Sequence, residues 1–213
     1  MAKSRTRARK KKSRTPKTAA KSIPWGGTAP THAGRKRWVF RGVLAAVAIG
    51  AGLAWWVFGT DERDFLGLAA QGQEGLKRIK TVPSAGGGHL DPRQSRVYSS
   101  RFPTSGRHHR SWTGAGFHRT PQMATQLVHA LEHGNIVIYY DKPGAEVIET
   151  LEAWTGLYTH QWSGVIATPM PRLGPAVVLT AWTKQLRMAE FKAAEAAAFI
   201  DAFRGRGPEH PVR

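Results

Sequence analysis

A run of 19 uncharged residues, Gly42–Thr60, divides this chain into two parts with very different charge. At 1.5 Å per residue it makes a helix of roughly 28 Å, close to the ~30 Å hydrocarbon core of a bilayer. Trp38 and Phe40 lie at one end, and Trp55, Trp56 and Phe58 at the other. Amphipathic rings at both ends settle at headgroup depth. Arg35, Lys36, Arg37 and Arg41 flank the first end, while Asp61, Glu62 and Asp64 follow the second. Excess Lys and Arg stay on the cytoplasmic side, so the N-terminus is expected inside and everything after Thr60 exported. A cleaved signal peptide is the competing reading. A basic lead of 41 residues is long for one, and no small-x-small cleavage site precedes Trp55–Trp56. We therefore expect an uncleaved transmembrane helix at 38–60, set in a bacterial inner (cytoplasmic) membrane, with the C-terminal domain periplasmic or otherwise extracytoplasmic.

The charge distribution supports that division. Of 32 Lys and Arg, 14 lie in residues 1–41, and no Asp or Glu precedes Asp61. The remainder holds 18 basic and 14 acidic residues, a balance of only +4 out of the chain's +18. The tail at 1–37 has too few large apolar residues to bury a core and is expected to be disordered. Near an anionic leaflet each of its cations is worth about 1 kcal/mol, so lipid headgroups are its natural partner. The rest is too nearly neutral for a dedicated nucleic-acid reader, and no specific nucleic-acid motif is present. The absence of cysteine excludes disulfides, thiolate metal sites, Fe–S clusters and cysteine nucleophiles.

After the span, residues 61–88 read as a linker, with a short amphipathic helix over Phe65–Ile79 and a hinge at Pro83–Gly88. A domain is expected over 89–208. Arg96–Ser99 suggests a short strand, followed by a Pro- and Gly-rich loop over Phe102–Gly116. Pro121–His133 has helical apolar spacing and a glycine stop at Gly134. Asn135–Tyr140 is a continuous apolar run and hence a buried strand. Pro143–Leu157 reads as a helix and Ser163–Thr168 as a strand. Ala176–Thr183 and Gln185–Phe191 read as an antiparallel hairpin, and Ala193–Phe203 as a closing helix. The predicted class is α+β, a mixed-sheet α/β sandwich that a thioredoxin-like arrangement would accommodate.

Six of the nine histidines fall between His89 and His133. The most informative segment is His129-Ala-Leu-Glu-His133-Gly. Residues four apart share a helix face, so His129 and His133 can reach one ion. Glu132 adjoins that face as a further ligand or as the acceptor that orients a histidine. His89 and His108 lie in Gly-rich loops able to approach the helix end. An imidazole set without thiolate suits Cu(II) or Zn(II), and Met170 and Met188 are thioethers that could serve Cu(I). His118, His160 and His210 are expected at the surface.

Several of these segments, in this order, resemble the DUF3105 family, a domain of unknown function commonly exported behind one N-terminal anchor. The resemblance covers about His89 to Pro208. It rests on His89, on Pro103-Thr104-Ser105-Gly106 with His108, on the block from His129 to Gly134, and on Val137-Ile138-Tyr139-Tyr140. It continues through Leu179-Thr180-Ala181-Trp182, Phe199-Ile200-Asp201 and Arg204-Gly205-Arg206-Gly207-Pro208. This sequence departs from the family at Phe102, where proline is usual, and at His109 and His118, where aromatics are usual. His109 and His118 are therefore poorer ligand candidates. The resemblance implies the domain and the anchor but no activity.

Three functions follow as expectations. The first is a non-enzymatic metal-binding domain with His89, His108, His129, Glu132 and His133 as its ligand set. The second is an accessory subunit docked on a larger membrane complex, its histidines structural. The third is a zinc peptidase, because His-x-x-Glu-His matches the inverzincin motif, with the glutamate activating water. A helix ending at Gly134 and a domain of about 120 residues offer little room for the two-lobed cleft of such an enzyme.

Overall fold

The computed structural model describes residues 62–91 and 93–213. The expected tail at 1–37 and membrane helix at 38–60 lie outside them. Among the described residues no helix is long and apolar enough to cross a membrane.

The chain runs through helix α1 (Glu62–Gln71), a 3-10 stretch (Gln73–Arg78), β1 (Lys80–Thr81), β2 (Gly116–Phe117), α2 (Ala124–His133) and β3 (Ile136–Tyr140). It continues through α3 (Ala145–Leu157), β4 (Val165–Pro169), β5 (Val177–Ala181), β6 (Lys184–Met188) and α4 (Ala193–Phe203). The six strands form one mixed sheet in the order β1-β6-β5-β3-β4-β2. The β3–β4 and β4–β2 pairs are parallel, and β3–β5, β5–β6 and β6–β1 are antiparallel. The class is thus mixed α+β.

The central strand β3 is buried along its whole length, which is why it reads as a continuous apolar run. Its residues alternate between two cores. Ile136, Ile138 and Tyr140 face one core, with Leu151 and Trp154 of α3 and Phe199 and Ile200 of α4. Val137 and Tyr139 face the other, with Leu127, Ala130 and Leu131 of α2. Among the described residues α2 is the helix that packs on that core, and the histidines it carries are on that side of the sheet.

Two expectations change. The segment 61–88 was expected as a linker, yet most of it is built into the domain. Phe65, Leu68 and Ala69 give α1 an apolar stripe at helical spacing. Phe65, 1% exposed, packs edge-on against Trp154 and Tyr158 at 5.4 and 5.0 Å between centroids. Just beyond α1, a Cβ on Gly72 would run into the Ala194 backbone, so the chain presses directly on α4 there. β1 then adds a sheet edge, and Pro83–Gly88 is exposed, with Ala85 to Gly88 hydrogen-bonded along 105–108. Conversely, Arg96–Ser99 forms no strand, and Val97 is 95% exposed. Among the described residues it pairs with no strand of the sheet. The Tyr98 hydroxyl instead donates to the Arg107 carbonyl at 2.9 Å.

Candidate metal centre

Helix α2 presents Leu127, Ala130 and Leu131 to the sheet and His129 and His133 to a neighbouring side. Gly134 ends it in the left-handed region (φ +100°), its N–H closing onto the Ala130 and Leu131 carbonyls. His133 thus occupies the last turn, and the chain passes straight into β3. Both histidines are buried, each 3% exposed, with ring centroids 4.6 Å apart.

The segment around His89 brings in two more rings. Gly86 and Gly88 both take positive φ, +82° and +84°, which suits glycine. They let this stretch run alongside 106–108 by a short parallel ladder: Gly106 N–H to Gly86 O, His108 N–H to Gly88 O and Leu90 N–H to His108 O. His108 is fully buried and His89 exposed. Their rings stand 5.3 Å apart, and each lies within 5 Å of His129, at 4.7 Å for His108 and 4.9 Å for His89.

A third contribution comes from the C-terminal strap. Gly205 N–H donates to Gly134 O at 2.8 Å, and Glu209 N–H to Glu132 O at 3.3 Å. Gly207 crosses the helix end so closely that a Cβ there would overlap the Glu132 carbonyl and the Gly134 nitrogen. The strap so held delivers Glu209, whose Oε2 is 3.1 Å from His133 Nε2 and 3.8 Å from His129 Nε2. Trp112 and Trp162 flank the same place, with centroids 4.7 and 4.1 Å from the His133 ring. Trp162 is carried by a turn anchored on buried Asn135, whose amide donates to Gln161 O and whose carbonyl accepts from Gly164 N–H.

Hydrogen bonding decides which nitrogens are free. His108 Nδ1 lies 2.8 Å from Gly106 O, and His129 Nδ1 lies 2.8 Å from His109 O. A carbonyl can only accept, so in each neutral ring Nδ1 carries the proton and Nε2 the lone pair. The buried Nε2 of His108 has no hydrogen-bond partner. Glu132 Oε2 is 3.0 Å away, but a carboxylate oxygen has no proton to give. Two acceptors thus face each other, an arrangement that asks for a cation or a shared proton between them. Burial first, then neighbouring imidazoles, hold His129 and His133 below the ordinary histidine pKa, and His108 is lowered chiefly by burial. These rings are neutral near pH 7, the form that coordinates metal. Burial and the nearby Glu209 raise the Glu132 carboxyl, partly offset by the Gly88 N–H that donates to it.

Among the described residues two groups could hold an ion: His89, His108 and His129, and His129, His133 and Glu209, each with one ligand atom per residue within 4.8 Å of the others. The four histidines of the predicted ligand set therefore gather in one place. Glu132 reaches His108 but is in neither group. Glu209, Trp112 and Trp162 were not anticipated. The signal for Glu209 was the Gly205-Arg206-Gly207-Pro208 block, whose glycines permit the close crossing that places it. Met188 is buried in the core on the opposite face of the sheet, and Met170 packs against the α2-side core. His109 contributes its main chain to the site, while its own Nδ1 accepts from Ser111 N–H. His118 Nε2 contacts Gly114 O, His160 Nδ1 accepts from Trp162 N–H, and His210 packs on Trp162.

A family model described as a protein of unknown function, DUF3105, matches residues 89–213. No curated protein and no solved structure matches the chain.

Proposed function

The chain belongs to the DUF3105 family, and from its histidine cluster we propose that the domain is a non-enzymatic binding module for Cu(II) or Zn(II). Residues 38–60 hold it at a membrane as a single-pass anchor, with the domain on the extracytoplasmic side and the basic tail against anionic lipid on the other. The observation that carries the metal reading is the pair of Nδ1–H bonds from His108 and His129 to main-chain carbonyls. Such bonds are the usual means of orienting a metal-bound imidazole and fixing its tautomer. Here they leave lone pairs inside a cluster of four histidines. Structural histidines, as in an accessory subunit of a larger complex, would be expected to satisfy both ring nitrogens internally.

Imidazole and carboxylate donors without thiolate fit Cu(II) and Zn(II). Tetrahedral ligands about 2.0–2.1 Å from such an ion are roughly 3.3 Å from one another. The 3.1 and 3.8 Å spacings from Glu209 to His133 and His129 bracket that value. Glu132, held by Gly88 N–H with its Oε2 3.0 Å from His108 Nε2, would share an ion bound at that nitrogen in this reading. The βαβ-ββα order of β3 to α4 is compatible with a thioredoxin-like scaffold, used here without cysteine chemistry.

Cu(II) titration followed by tryptophan fluorescence tests the metal reading, because Trp112 and Trp162 sit against His133. Saturable quenching in the full chain that disappears in His129→Ala is expected. Identical curves for the two proteins would refute the reading. For the anchor, carbonate washing of membranes should retain the full chain and release a form lacking 38–60.

A further inference from the structure

The two ligand groups meet at His129, and this ring has one lone pair to give. Its Nδ1 proton is committed to the His109 carbonyl at 2.8 Å, so Nε2 is the coordinating nitrogen. An imidazole with one lone pair serves one ion at a time. Full occupation of both groups at once would need a second lone pair on His129, available only by breaking the His109 bond and removing that proton. We infer that the cluster holds a single ion with two alternative seats, His89/His108/His129 and His129/His133/Glu209, and that His129 stays bound as the ion moves between them. The inference rests on the metal reading above and specifies how the site works.

The seats differ in ways that make exchange between them meaningful. The first is all imidazole, with His89 exposed at its rim and His108 fully buried beneath. The second contains a carboxylate and lies between Trp112 and Trp162. Beyond the α2 histidines, the first seat draws its ligands from the Gly86–His108 ladder and the second draws Glu209 from the C-terminal strap, two pieces of chain with separate hydrogen bonds to α2 or its flanks. Movement requires one ligand to replace another while His129 holds on, so the ion is never bare. This is the chemistry of a site that receives and passes on a borderline cation, in contrast to the closed four-ligand cage of a structural zinc.

The test uses the full chain in mild detergent, stripped of metal and then equilibrated with Cu(II), with bound copper counted by elemental analysis and ligation read by electron paramagnetic resonance. One Cu(II) per cluster is expected, with two overlapping nitrogen-ligated signals. Paired His89→Ala/His108→Ala should keep one ion and one signal, and paired His133→Ala/Glu209→Gln should keep one ion and the other signal. His129→Gln should lose both, with circular dichroism confirming that it is folded. Two ions per cluster in the parent, one signal unchanged across the paired variants, or tight binding retained by folded His129→Gln would each overturn the two-seat inference while leaving metal binding standing. No bound copper in the parent would overturn the metal reading itself.

Discussion

Glu209 Oε2 sits 3.1 Å from His133 Nε2, at the tip of a strap whose backbone is bonded to the helix that carries His133. The contact joins the C-terminal end of the domain to its histidine cluster. If Glu209 is a ligand, Glu209→Gln keeps the shape and removes the charge. We expect it to weaken Zn(II) binding by at least the ~10–100-fold seen when even outer-sphere partners of a metal are lost. Calorimetric titration of parent and variant checks this, and equal affinities would remove Glu209 from the ligand set.

The strap itself depends on Gly207. A methyl group there meets the Glu132 carbonyl and the Gly134 nitrogen, both main-chain atoms that cannot swing aside. Gly207→Ala is expected to cost about 1–3 kcal/mol, the usual range for overpacking, and to weaken metal binding by displacing Glu209. Urea unfolding with and without Zn(II) measures both effects. Unchanged stability would mean that the strap is not held as described.

How much of this was legible in the sequence varies by element. Helix α4 was read at its observed bounds, Ala193–Phe203, because its apolar spacing begins and ends cleanly. β3 was read because a strand buried on both faces is one apolar run. A helix is expected over Phe65–Ile79, whereas α1 covers Glu62–Gln71 and a 3-10 stretch covers Gln73–Arg78; its place in the core is not legible, because Phe65 and Ala69 look the same on a free amphipathic helix and their partners Trp154 and Tyr158 are distant in sequence. Arg96–Ser99 looked like a strand because local composition does not reveal whether a sheet edge is nearby. At the site, helical spacing identified His129 and His133, Gly-rich loops pointed to His89 and His108, and the family resemblance set His109 and His118 aside. Glu209 escaped because a lone carboxylate after a proline has no periodicity, and only the glycines before it hint at a close crossing.

The integration of α1 gives a direct stability prediction. Phe65 is nearly inaccessible and contacts two aromatic rings. Phe65→Ala is expected to destabilise the domain by about 3–5 kcal/mol through lost burial and the cavity left behind. Thermal unfolding of the two proteins checks it. A change within about 0.5 kcal/mol, the scale of a surface substitution, would return this segment to the role of a linker.

Acid should weaken the metal-free domain. His108, His129 and His133 are held below 6.5, so between that value and their folded pKa the unfolded chain binds more protons than the folded one. Stability therefore rises with pH in that window, is complete above about 6.5, and is lost as pH falls through it. Glu132, raised above 4.5, acts in the opposite direction, because its folded form takes up a proton more readily. Three imidazoles against one carboxyl set the net sign. The melting temperature of chelator-treated protein should fall from about pH 7 to pH 5.5, less steeply in His108→Gln. A flat or rising profile would contradict the assignment of neutral buried histidines.

Metal binding by the four gathered histidines underlies both the proposed function and the two-seat site. Equilibrium dialysis of the full chain against Zn(II), with bound metal counted per chain, tests it most directly. Its two controls are His129→Ala at the cluster and His109→Ala, whose ring lies outside it. About one zinc per parent chain is expected, the same for His109→Ala, and none retained by His129→Ala. A parent chain that holds no zinc or copper, or a His129→Ala chain that holds as much as the parent, would contradict it.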